Sequence, residues 1–142
     1  IVNPTEKTGS TNTRKEVWKI TADIISEHPL LGVGTGDIRD VLSQEYEKRN
    51  FTVFFNRHYD SHQQFLQTFA ATGLFGFLSL LIIFGLLFYQ GFTKQNYLLL
   101  IFATLFFLFG LVESMLERQT GIVFFTFFGL FLQFYNPSKS EN

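Results

Sequence analysis

Polar and apolar positions follow one rhythm in the first half of the chain and another in the second. Val17, Ile20, Thr21, Ile24 and Ile25 recur at three- and four-residue steps, the spacing of one buried face of an amphipathic helix. Thr13 and Glu16 make a T-x-x-E capping box that would open this helix, after a Thr-, Asn- and Gly-rich linker over residues 1–12. The helix is expected to stop before Pro29, because proline disfavours helical geometry in the residue ahead of it. "LLGVGTGD" then reads as a turn-rich connector, with Asp37 placed to cap a second, highly charged helix from Ile38 to about Arg49. Residues 50–59 read as an aromatic loop. Asp60 with Gln63 forms another capping pattern, for a helix running to Gly73 as its C-cap.

Beyond that glycine the rhythm disappears and the chain is apolar on every face. The uncharged runs Ser61–Thr93, Gln95–Val112 and Gln119–Ser138 follow one another. A helix needs roughly 20 apolar residues to cross a hydrocarbon core of about 30 Å. Three transmembrane helices are therefore predicted, over about 72–92, 96–113 and 119–135, the last two short. The competing reading is a soluble helical domain with very greasy core helices. It is disfavoured, because helices apolar all round need lipid or a large protein about them. The fold class predicted is all-α: an integral membrane helical bundle fragment with a helical extracytoplasmic loop. Its parts are residues 1–71 as the loop region, 72–135 as spans and 136–142 as a cytoplasmic tail.

Charge sharpens this division. Residues 1–71 hold 17 of the 23 charged side chains, whereas residues 72–135 hold Lys94, Glu113, Glu117 and Arg118. With three spans, the "TKQN" loop and the tail share one side, and the polar half and "ESMLERQ" share the other. At some 70 residues the polar half exceeds the length of about 60 over which the positive-inside rule acts, so its lysines and arginines do not forbid an extracytoplasmic position. A net charge of −1 argues against a nucleic-acid surface, and the absence of cysteine excludes disulfides and thiolate chemistry. The 20 phenylalanines suit lipid contact without naming a function. The first residues carry neither an initiator methionine nor a signal pattern, so a C-terminal segment of a longer membrane protein is expected.

Candidate chemistry gathers at the start of the apolar half. "GVGTGD" lacks both the dinucleotide fingerprint and the P-loop lysine, and its plain reading is a tight turn. Amides at such a turn, ahead of the Asp37 helix, leave an anion cradle open as an alternative. His58, Asp60 and His62 have ligand-type side chains, but no fourth ligand is evident and Asp60 is better placed as a cap. No metal and no cofactor is expected. His62, in a helix's first turn beside a polar cleft, is a candidate proton acceptor. Arg14, with Lys15 and Lys19, reads from composition as part of a solvated face. Glu113, Glu117 and Arg118 lie so near lipid that pairing or function is one explanation, and reaching water at helix ends the other.

With those residues in hand, the chain resembles the C-terminal part of the O-antigen ligase superfamily, over roughly residues 13–135. "TRKEVWKITADIISEHPLLGVGTGD" is similar to its arginine–tryptophan helix followed by Pro-Leu-Leu-Gly-x-Gly. "SHQQFLQTFAATGLFG" is similar to its histidine, then Asn, Ser or Gln, then nine residues and Gly-x-x-Gly; His62, Gln63, Gly73 and Gly76 meet that pattern. "ESMLERQTGIVFFTFFGLFL" looks like its closing spans.

The resemblance implies a multi-span glycosyltransferase of the cytoplasmic (inner) membrane, metal-independent, acting on the extracytoplasmic side. It would move a glycan from a polyprenyl diphosphate donor to an acceptor hydroxyl, on lipid A core for a ligase. A growing polysaccharide would be the acceptor for a polymerase, and protein for an O-oligosaccharyltransferase. The expected partners are that donor, that acceptor and membrane lipid. The family's essential arginine and histidine fall on Arg14 and His62: Arg14 would hold the diphosphate and His62 would activate the acceptor. Gln63 is expected at the substrate, Gly32 and Gly34 in the turn, and Gly73 and Gly76 where the span packs closely on a neighbour. Arg57 and His58 match no family role; they are candidate substrate-binding residues that steer the donor, the alternative being that they, like Asp60, are merely solvated. The non-enzyme alternatives are a glycan flippase or transporter, and a membrane anchor with an interaction domain.

Overall fold

The computed structural model describes residues 10–49 and 61–135, and every regular element among them is helical. Helix α1 spans Ser10–Glu27 and α2 spans Ile38–Lys48. A long helix, α3, spans Gln64–Thr93, followed by α4, Tyr97–Gly110, a 3-10 turn, Met115–Glu117, and α5, Gln119–Phe134. The aromatic loop, with Arg57, His58 and Asp60, and the tail 136–142 lie outside the described residues.

The amphipathic reading of α1 holds. Val17, Ile20, Thr21 and Ile24 are buried and Ile25 half-buried. The helix ends at Glu27, ahead of Pro29. It already includes Ser10, however, so Thr13 lies inside it and not at its cap. Asp37 does precede α2, but its own backbone is already helical (φ −96°, ψ −16°) and its side chain makes no capping bond. A capping side chain needs an extended backbone to reach back over the first turn. Val17, Ile20 and Ile24 of α1, Ile38, Leu42 and Tyr46 of α2, and Ala70 and Ala71 of α3 form one core. The polar half is thus packed onto the first turns of the long helix.

Helix α3 is interrupted where the glycine was expected to end it. Gly73 has φ 66° and ψ −162°, a region essentially restricted to glycine, and the helix resumes after it. Such a break orphans backbone groups, and the connector after α1 takes them up. Val33 N donates to Ala70 O (2.9 Å), Gly34 N to Ala71 O (2.8 Å), and Leu74 N to Pro29 O (2.9 Å). The two backbones meet at Gly32 (φ 67°) and Gly73: a Cβ on Gly32 would stand 2.5 Å from Ala71 C and O, and one on Gly73 2.2 Å from Leu30 O. Pro-Leu-Leu-Gly-x-Gly is therefore a clasp on a helix break. Within the connector, Gly32 N also bonds His28 O, and Ile38 N bonds Gly34 O. Gly73's close neighbour is this loop and not another span. Gly76 makes room for the Thr72 side chain of its own helix, which a methyl there would overlap.

On both sides of the break, α3 packs on α4 and α5 through phenylalanines. Phe65, Phe84 and Phe106 are buried, with Phe65–Phe107 centroids 5.2 Å apart, Phe84–Phe107 5.6 Å and Phe106–Phe125 5.0 Å. Part of the phenylalanine excess is therefore interhelical packing, while Ile82, Leu86, Ile101 and Phe127 face outward, exposed. Asn96 starts α4: its Oδ1 caps Leu99 N (3.1 Å), and its Nδ2 donates to Leu132 O and Tyr135 O (both 2.7 Å). The "TKQN" turn and the end of α5 thus sit together at one end of the bundle. The "ESMLERQ" turn sits at the other, over the first turn of α3. Only α3, with 30 residues, is long and apolar enough among the described helices to cross a membrane; α4 and α5 are apolar but have 14 and 16 residues.

Candidate functional site

The site is built where the break-bearing helix begins. Gln63, and not Asp60, provides the cap of α3: it is extended (φ −158°, ψ 113°) and its side-chain oxygen accepts from Leu66 N. Its side-chain oxygen therefore serves the helix cap. His62 consequently stands before the helix and not in its first turn, with φ 46°. That left-handed backbone is uncommon outside glycine, and such strain persists only where the surroundings enforce it.

Ser61 supplies the enforcement. It is 1% exposed; its N–H donates to Gln67 Oε1 (3.2 Å) and its hydroxyl to Gln63 O (3.0 Å). Its carbonyl accepts from Trp18 Nε1 at 2.9 Å, across 43 residues of chain. Trp18 belongs to the helix that carries Arg14, and residues four apart on a helix share a face. Arg14 therefore lies one turn from the indole that is bonded to the neighbour of His62. It is exposed and has no ion-pair partner among the described residues.

From the far side comes a third titratable group. Glu113 Oε1 lies 3.2 Å from His62 Nδ1, the two side chains being 43% and 29% exposed. Two backbone links fix its place. Glu113 N donates to Phe109 O (2.9 Å) at the end of α4, and Leu116 N donates to Oε1 of the buried Gln64 (2.7 Å). Gln64 Nε2 in turn donates to Thr68 Oγ1 (3.0 Å). Sequence reasoning marked Glu113 by its nearness to lipid but had no signal for its partner, 51 residues away. Glu117 is half-buried in the 3-10 turn and Arg118 exposed. The arrangement can take a proton on an imidazole, balance the resulting charge with a carboxylate, and offer a guanidinium from the next helix. That set suits an acyl- or glycosyl-type transfer from a phosphorylated leaving group.

A family model described as O-antigen ligase matches residues 2–81, more than half of the chain. The match takes in Arg14, Trp18, the Gly32 connector, His62 and the Gly73 break, and stops short of Glu113. No curated protein and no solved structure matches the chain. The helix, the clasp and the histidine all lie in the matched segment, and the chain belongs to the O-antigen ligase family.

Proposed function

We propose that this chain carries catalytic residues of a membrane glycosyltransferase of the ligase type, which moves a glycan from a polyprenyl diphosphate to an acceptor hydroxyl on lipid A core. The observation that supports it is the Trp18 Nε1–Ser61 O hydrogen bond, which joins the Arg14 helix to the backbone beside His62. In the reaction the acceptor oxygen bonds to the anomeric carbon while its proton passes to the imidazole of His62. The carbon–oxygen bond to the diphosphate breaks, and the electron pair leaves on the phosphate oxygen. Arg14 meets that charge with a fork of donors that stays protonated. Arg57 and His58, outside the described residues, are assigned to donor binding from the sequence alone.

On this reading α3, α4 and α5 lie in the inner membrane, with the polar half and the Glu113 turn on the extracytoplasmic side. A helix of 14 residues is only about 21 Å long, so α4 needs a locally thinned bilayer or neighbouring helices. The donor's prenyl tail then stays in lipid while its headgroup reaches Arg14 and His62 at the boundary. Charge placement supports an enzyme over a transporter: α3, α4 and α5 contain no Asp, Glu, Lys or Arg, whereas transporters hold functional charges near the midplane.

The test is Arg14→Ala and His62→Ala in the intact protein in membranes supplied with polyprenyl-diphosphate-linked glycan. A general base contributes about 10²–10⁴-fold, so His62→Ala should lose that much turnover while inserting and folding as the parent does. Product on lipid A core identifies a ligase, longer glycan a polymerase, and glycoprotein an oligosaccharyltransferase. Undiminished transfer by His62→Ala removes the proposed base.

A further inference from the structure

Glu113 reaches His62 from a turn that the histidine's own segment does not build. The carboxylate could be an incidental surface pair, which typically contributes little. Against that stands its support: the end of α4 holds the Glu113 backbone, and the buried Gln64 holds Leu116 of the same turn onto the first turn of α3. The histidine is held just as firmly from the other side, through Ser61 and Trp18. Two separately braced pieces of backbone bring Oε1 and Nδ1 to 3.2 Å.

A carboxylate only accepts hydrogen bonds, so the contact selects the tautomer in which Nδ1 carries the hydrogen and the lone pair lies on Nε2. We propose that Glu113 is a positioning residue for His62: it fixes the ring and its tautomer, and it balances the imidazolium that forms during transfer. The proposal rests on His62 being the base. The acceptor's proton goes to Nε2, the new glycosidic bond forms, the diphosphate leaves with its electron pair, and the Nδ1–H···Oε1 contact is kept throughout. This is the division of labour of the serine-hydrolase histidine and its carboxylate, here on a sugar hydroxyl.

Glu113→Gln keeps the shape and removes the charge, and its amide can turn an N–H toward Nδ1 and favour the wrong tautomer. The intact protein in membranes should then show kcat lowered about tenfold or more, with KM for the donor within about twofold and an unchanged melting temperature. Glu113→Asp, charged but one methylene shorter, should recover part of the rate. In the His62→Ala background, Glu113→Gln should change the residual turnover by less than about twofold, because a residue that acts through the ring has nothing left to act on. Parental kcat in both Glu113→Gln and Glu113→Asp, with His62→Ala inactive, overturns the role of Glu113 and leaves the base standing. An equal further loss in the His62→Ala background overturns it too, since Glu113 then acts elsewhere. Full activity of His62→Ala removes the base and this proposal with it. If Glu113→Gln is poorly folded, Glu113→Asp decides: a partial loss of kcat at parental melting temperature supports the role, and a full rate overturns it.

Discussion

Replacing Gly73 with alanine adds one methyl carbon at the point where the connector and the broken helix touch. That carbon would lie 2.2 Å from Leu30 O, 2.4 Å from Leu30 C and 2.6 Å from Gly32 N, all of them backbone atoms that no side-chain rotation can move aside. Holding alanine at φ 66°, ψ −162° costs about 1–3 kcal/mol by itself. Relieving the overlap means lifting the connector, which releases the hydrogen bonds Val33–Ala70, Gly34–Ala71 and Leu74–Pro29. At a net value of about 1 kcal/mol each, the three add roughly 3 kcal/mol. The expected cost is about 4–6 kcal/mol, a large share of the 5–15 kcal/mol that folded domains typically possess. Gly85→Ala is the matched control in the same helix: nothing lies within 4 Å of its added methyl, and stability should stay at or slightly above the parent. Thermal unfolding of the purified protein in lipid nanodiscs measures both. Gly32→Ala should resemble Gly73→Ala, and the double variant should cost little more than the worse single, because both open the same clasp. A Gly73→Ala protein that unfolds within about 1 kcal/mol of the parent, or costs that simply add, would refute the clasp.

Asn96→Ala removes the cap on Leu99 and two bonds to carbonyls at the end of α5, and should lower stability by about 2–4 kcal/mol in the same unfolding assay. Asn96→Ser, which retains a capping oxygen but cannot reach Leu132 or Tyr135, should fall between. Trp18→Phe keeps the ring and loses the bond to the buried Ser61 carbonyl. Unfolding should drop by about 1–3 kcal/mol and glycan transfer several-fold, as the backbone beside His62 loosens. Transfer at the parental rate would detach the Arg14 helix from the site.

What could be read without coordinates was local. The buried face of α1 appears as Val17, Ile20, Thr21 and Ile24 because one helix repeats every 3.6 residues, and its end follows from the ring of Pro29. Gly73 announced a break in the helix, and the uncharged runs announced three apolar helices. Caps were less legible. Thr13 and Asp37 have capping side chains but the wrong backbone context, while Gln63 and Asn96 do the capping observed at α3 and α4. A capping residue depends on the backbone angles at that position, and side-chain chemistry alone does not report them.

Sequence by itself determined the helical class and the polar-then-apolar division, properties of residues near one another along the chain, while Arg14 and His62 were singled out through the family resemblance. Only the tertiary structure decided that Gly32 and Gly73 are two halves of one clasp, that Trp18 ties the Arg14 helix to Ser61, and that Glu113 stands beside His62. These pairings span 41, 43 and 51 residues of chain. Their closeness is set by how the helices pack, and no short-range periodicity encodes it.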